Sequence, residues 1–216
     1  MEERDLFDGI RASVIEGDAE RSAALARQAL ADGRDPLQVL ERGYTESLKG
    51  VGARWEAGDI YLPEMLLAAE ATKAALAVLQ PEIRKRGGVA HEPPCCVMGT
   101  VKGDIHDIGK SIVAAMLEAA GFRVVDLGTD VAAERFVSAV RAEGAAFLGL
   151  SALLTTTMPE MKAVVEALER EGLRRSLRVV IGGAPVTAEY ASAIGADGYA
   201  KDGLEAMRLV QRLAAA

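Results

Sequence analysis

Cys95-Cys96-Val97-Met98-Gly99-Thr100-Val101-Lys102-Gly103-Asp104-Ile105-His106-Asp107-Ile108-Gly109-Lys110 is the stretch on which the fold turns. A short apolar run, 95–101, gives way to a polar loop with a glycine at each end, and an amphipathic stretch follows at about 109–120. The unit then repeats. Apolar runs rich in Val and Leu recur at 123–127, 146–150, 177–181 and 197–200. Amphipathic stretches separate and follow them, at about 132–143, 158–171, 187–194 and 203–213. Runs of 4–7 residues read as buried strands, and the longer stretches with a 3.6-residue period read as helices. Strand–helix alternation predicts a parallel sheet with helices on both faces.

Upstream, the pattern is helical throughout. Leu6, Phe7, Ile10 and Val14 share one face, and Gly17-Asp18 ends that helix and caps the next. A second helix runs through Leu25 to Leu30, and Gly33 stops it. Asp35-Pro36 is a cap followed by the residue favoured at the first helical position. A third helix carries Leu37, Leu40, Tyr44, Leu48, Val51 and Trp55. Gly58-Asp59 turns the chain into a fourth, from about Pro63 to Ile83, with Leu66, Ala69, Leu76, Leu79 and Ile83 expected inward. Short connections make this an antiparallel four-helix bundle over 1–86. Gly, Pro and charge cluster at 87–94, which reads as a linker. Five strand–helix units in 95–216 are the size of a flavodoxin-like, Rossmann-like doubly wound α/β domain with strand order 2-1-3-4-5. That order puts a ligand beyond the carboxyl ends of strands 1 and 3.

Composition narrows the function. The 216 residues carry a formal net charge of −7, which argues against nucleic acid or an anionic membrane surface as partner. No apolar run is long enough to span a bilayer, and the charged start Met1-Glu2-Glu3-Arg4-Asp5 reads as no secretory signal. Two histidines and two cysteines exclude a multi-ligand zinc site, a cysteine-ligated cluster and a disulfide scaffold. Cys95 and Cys96, adjacent, are expected to be reduced core residues of a cytoplasmic protein. His91 falls in the linker.

That leaves His106, in the loop after strand 1. An Asp two residues before it can accept Nδ1–H and leave Nε2 free as a base or metal ligand. One imidazole cannot hold a bare metal ion; it can supply one axial ligand to a metal held in a macrocycle. Asp104 and Asp107 also read as caps of the helix that follows. Thr157, heading Thr157-Met158-Pro159-Glu160, reads equally as a capping box.

Three motifs on these loops resemble the cobalamin-binding signature: Asp104-x-His106-x-x-Gly109 after strand 1, Ser151-x-Leu153 after strand 3 and Gly182-Gly183 after strand 4. Each alone is weak; the three in order on the matching loops are specific. The stretch from Trp55 through Leu62 to Met65, continuing into Ala69–Ala75, resembles the helical cap of methyl-transferring corrinoid proteins. The resemblance spans nearly the whole chain. It is to the corrinoid proteins of methanol, methylamine and aryl-methyl-ether methyltransferase systems, and to the cap and cobalamin modules of methionine synthase.

The resemblance implies a cobalamin or related corrinoid, cycling between methylcobalamin and cob(I)alamin. His106 is then the lower axial ligand of cobalt. Asp104 accepts its other N–H, and Thr157 extends this ligand relay in place of the expected Ser. Ile105 and Asp107 belong to the same loop. Ser151, Leu153 and Thr155 line the channel for the displaced nucleotide tail, and Gly182 and Gly183 admit that tail to the backbone. Gly103 and Gly109 serve the tight loop and the close start of the helix. Trp55 and Leu62 cover the methyl-bearing face, and the cap swings aside at 86–94. The implied partners are a substrate-specific methyltransferase, an acceptor methyltransferase and a reductive activation protein; the carrier has no complete turnover alone. Two other readings share the motifs. One is a cobalamin-dependent sensor, which joins cap and cofactor domain to a DNA-binding module. The other is the small subunit of a mutase, which has no helical cap.

Overall fold

The computed structural model describes residues 3–86 and 93–215. They form two compact units, one before Pro93 and one from Pro93 onward. His91 and the 87–92 part of the expected linker lie outside the described residues.

The first unit is all helical: α1 (Glu3–Ile15), α2 (Ala19–Ala31), α3 (Pro36–Gln38), α4 (Glu46–Ala57) and α5 (Leu62–Lys85). The caps are those the sequence offers. Asp18 accepts from the Arg21 amide, Asp35 accepts from the Leu37 amide, and Gly58 ends α4 in the left-handed region. The α3 turn runs on into α4 through a π-helical stretch, Val39–Thr45. There Gly43 has no Cβ to hold α1 off; a Cβ at that position would lie 3.2 Å from Ile10. Tyr44 is fully buried beside it and donates its hydroxyl to the Ser22 carbonyl at 2.7 Å. Ser13 and Ser22 share a 2.8 Å hydrogen bond, which satisfies the polar groups of the bundle interior. The buried stripe of α5 is Met65, Ala68, Ala71, Ala75, Leu79 and Ile83. Leu79 and Ile83 are inward as expected, but Leu66, Ala69 and Leu76 are only half-buried, so the first part of the helix is turned relative to the face expected. Small side chains set that choice. The alanines of α5 face Ser22, Ala26 and Ala29 of α2 and allow a close approach, while the larger leucines sit to either side.

The second unit is a parallel sheet with order β2-β1-β3-β4-β5. Its strands are β1 (Cys95–Thr100), β2 (Arg123–Asp126), β3 (Phe147–Ser151), β4 (Arg178–Gly182) and β5 (Gly198–Ala200). The helices α6 (Ile108–Ala119), α7 (Ala133–Glu143), α8 (Met158–Arg170), α9 (Ala188–Ala193) and α10 (Gly203–Ala214) connect and follow them. The order matches the expectation of a doubly wound domain. All of β1 is buried, as a central parallel strand with both faces covered should be. On one face Val97, Leu148, Leu150, Val179 and Ile181 pack against Phe136 and Val140 of α7 and Met161, Val165 and Leu168 of α8. Cys95 and Cys96 are both free and buried, and burial raises the Cys96 thiol to about 12.

Register decides what the sheet presents at its carboxyl edge. Thr100 lies beside Ser151, and Ser151 beside Gly182. Residues far apart in sequence thus start three loops in a row. The loops after β3 and β4 then touch. Gly183 has φ +131°, and a Cβ there would stand 1.8 Å from the Ala152 carbonyl oxygen. Neither the conformation nor the space admits a side chain. Gly183→Ala is therefore expected to cost more than about 3 kcal/mol. Urea unfolding checks it, and a midpoint equal to that of the parent chain would contradict the close contact.

Candidate functional site

The loop after β1 is built around one carboxylate. Asp104 is fully buried at its centre. Its Oδ1 accepts from the His106 amide at 3.1 Å and lies 2.7 Å from His106 Nδ1. Its Oδ2 accepts from the Leu153 amide at 2.7 Å, the Leu154 amide at 3.3 Å and the Thr157 hydroxyl at 2.8 Å. Burial alone raises the pKa of a carboxyl. Here the His106 side chain, the Leu153 and His106 amides and the Thr157 hydroxyl outweigh it, and Asp104 is held well below the usual carboxylate range.

The role of His106 Nδ1 follows. An ionised carboxylate only accepts, so Nδ1 is the ring nitrogen that donates to Asp104. The side chain is 46% exposed, against 0% for Asp104. The imidazole is thus gripped at one nitrogen and open at the other. Thr100 donates its hydroxyl to the His106 carbonyl at 2.8 Å and fixes the backbone beneath the ring. Gly103, at φ +78°, makes the turn that brings Asp104 back under the sheet edge.

The structure places the other residues of the motifs as follows. Thr157 occupies the N-cap position of α8 but caps nothing with its side chain; the hydroxyl is within reach of Asp104 and of the Leu154 carbonyl. Asp107 stands at the N-cap of α6 and likewise makes no side-chain cap. Leu153 meets Asp104 through its amide, while its side chain is exposed. Ser151 is half-buried, Thr155 is exposed in the turn before α8, and a Cβ on Gly182 would lie 3.0 Å from the Ala200 carbonyl oxygen. Trp55 and Leu62 belong to the helical unit, half-buried at either end of the turn between α4 and α5.

Two residues at this edge escaped the motif reading. Lys110, in the first turn of α6, is buried and pairs its ammonium with Asp126 at the end of β2. Asp130, in the loop after β2, accepts from the Gly103 amide at 2.7 Å. Neither lies in a motif, and a pairing between loops 27 residues apart leaves no local sequence signal.

The surroundings of His106 suit a large, mostly apolar ligand. Ile105 and Ile108 are 77% and 78% exposed, and Leu153 and Leu154 are also exposed at the same edge. Exposed aliphatic side chains clustered at a sheet's switch point mark a binding surface. Gly109 adds to this. It has an ordinary φ, and a Cβ there would meet nothing within 4 Å. A helical glycine with no internal reason leaves room for something outside the chain. Among the described residues no group of three or more His, Cys, Asp or Glu could hold a metal ion. The donor set therefore offers a single nitrogen, which fits a metal whose other ligands come from a macrocycle.

The comparisons agree with this geometry. A B12 binding domain model matches residues 94–208, and a second, also described as a B12 binding domain, matches residues 6–80. A corrinoid protein of Desulfitobacterium hafniense is 42% identical over 96% of this chain and 97% of that protein. The chain belongs to the B12-binding corrinoid proteins. Trimethylamine corrinoid protein 2 of Methanosarcina mazei is 43% identical over 92% of this chain and 91% of that relative. Among solved structures, the methanol:cobalamin methyltransferase complex of Methanosarcina barkeri aligns with a TM-score of 0.83 at 28% identity. The alignment covers 99% of this chain and 81% of that one. No helix among the described residues of this corrinoid protein is long and apolar enough to cross a membrane.

Two outcomes test the site in the absence of ligand. The folded pKa of Asp104 is depressed, so its stabilising contribution is complete above the unfolded value near 3.9 and is lost as pH falls through the folded value. Asp104→Asn should lower stability at neutral pH and flatten its fall between about pH 5 and pH 2. A pH series of urea titrations reads this, and an unchanged slope would contradict it. Gly109→Ala should raise the stability of the ligand-free chain by about 0.5–1 kcal/mol, because only helix propensity changes.

Proposed function

We propose that this corrinoid protein is a methyl carrier that serves a substrate-specific methyltransferase and an acceptor methyltransferase in turn. The observation that carries the reading is the Thr157–Asp104–His106 chain of hydrogen bonds ending in an exposed Nε2. When bound, the corrinoid supplies a cobalt centre able to accept and release a methyl group.

What the chain supplies is control of one ligand. His106 is the residue that would hold the cobalt, through Nε2. Asp104 orients the ring by accepting from Nδ1 and sets its negative charge beneath the imidazole. Thr157 and the Leu153 amide keep Asp104 ionised. Ile105, Ile108, Leu153 and Leu154 exclude water from one side of a flat ligand, and Gly109 leaves space beside the His106 loop. Ser151, Thr155, Gly182 and Gly183 line the path of the nucleotide tail, which the row Thr100–Ser151–Gly182 supports.

The helical unit is assigned as the cap, and Trp55 and Leu62 as its cofactor-facing residues. Tyr61, 79% exposed in the α4–α5 turn, presents an aromatic ring beside Leu62, which supports this assignment. The domain division at 86–94 and cytoplasmic placement are part of the same reading, as is a reductive activation protein that restores the reduced cofactor. Two free, buried thiols accord with a reducing compartment.

Reconstitution with hydroxocobalamin should give a stoichiometric complex with the base-off, His-on absorption spectrum. His106→Ala should still bind but lose the His-on signature; an unchanged spectrum would sink the assignment. In the methyl-loaded protein, Trp55→Ala should speed photolysis, whereas a rate equal to the parent would return Trp55 to the bundle core.

A further inference from the structure

The loop after β2 contains the only described non-glycine residue with positive φ, Asp130 at 53°. Asp tolerates that region better than most residues, but it is seldom chosen without reason. Here the conformation lets one residue make two bonds to the neighbouring loop. Its carboxylate accepts from the Gly103 amide at 2.7 Å, and its own amide donates to the Asp104 carbonyl at 2.9 Å. Asp130 therefore holds the Gly103–Asp104 pair at both ends.

The loop that carries Asp130 is itself anchored on both sides. Leu127 donates to the Met98 carbonyl, Thr100 to the Gly128 carbonyl and Val131 to the Thr100 carbonyl. The buried Lys110 ammonium grips Asp126, whose other oxygen accepts from the Gly128 amide at 2.9 Å. Such a frame can impose a position on a neighbour rather than follow it.

We infer that Asp130 is a positioning residue for the axial ligand: it sets the backbone of Asp104 and through it the direction of His106 Nε2. The inference rests on the carrier reading of His106. Asp130 touches neither the ligand nitrogen nor the acceptor oxygens of Asp104. Its influence runs through two backbone bonds, on a loop outside the three motifs.

Three substitutions separate the possibilities. Asp130→Gly keeps the left-handed backbone without strain and removes the carboxylate. Asp130→Asn keeps an acceptor oxygen and tolerates the conformation. Asp130→Ala loses both features, and if it fails to fold the glycine variant decides. Asp130→Gly should bind hydroxocobalamin stoichiometrically while losing most of the His-on absorption, and Asp130→Asn should restore it. In the ligand-free protein, amide hydrogen exchange at Gly103 and His106 should accelerate several-fold in Asp130→Gly, with the melting temperature little changed. A His-on spectrum in Asp130→Gly equal to that of the parent overturns the inference alone. An Asn variant as defective as Gly overturns the hydrogen-bond account. A parent protein that binds cobalamin without the His-on signature overturns the carrier reading and this inference with it.

Discussion

A buried carboxylate that no described lysine or arginine pairs has to be met by hydrogen bonds on every side, and Asp104 imposes that requirement on the edge of the sheet. Desolvation of an ion costs several kcal/mol unless donors replace the lost water. The donors here come from two loops: His106 from its own, and Leu153, Leu154 and Thr157 from the loop after β3. Closing that arrangement fixes the distance between the loops after β1 and β3. The parallel register of Thr100 with Ser151 then makes the fit possible without strain. The carboxylate organises the switch point first and the histidine second.

The pattern of the chain made much of this legible. The alternation of runs gave the sheet, its order and the edge at which a ligand belongs, because period and length are set locally. His106 and Asp104 could be paired from a separation of two residues. Thr157 was ambiguous for a physical reason: a threonine before Met-Pro-Glu satisfies the pattern of a capping box, and only the approach of Asp104 from 53 residues away diverts its hydroxyl. Gly183 was legible as a glycine through the motif, and the structure gives it an internal reason. The Ala152 carbonyl already occupies the place of a side chain.

The features that were not legible share a cause. The π-helical stretch Val39–Thr45 has the composition of an ordinary helix, and its widened turn reflects the packing of Gly43 and Tyr44 against α1 and α2. The face of α5 was misjudged in its first part because both of its sides are apolar, so period alone cannot choose between them; the small residues of α2 decide. Asp130 acts across loops and Lys110 across from a helix to a strand end, and no local periodicity reports either pairing. Tertiary contacts between irregular segments are what a single sequence conceals best.

The buried pair Cys95–Cys96 has a meaning for a chain that handles an activated one-carbon group. A thiolate is the ready acceptor of an electrophilic methyl, and it must be both ionised and reachable. Both thiols lie within β1, and Cys96 is held protonated by burial. With the only two sulfhydryl groups of the chain withdrawn from reaction, the proposed carrier role would not expose the chain to alkylation by its own cargo.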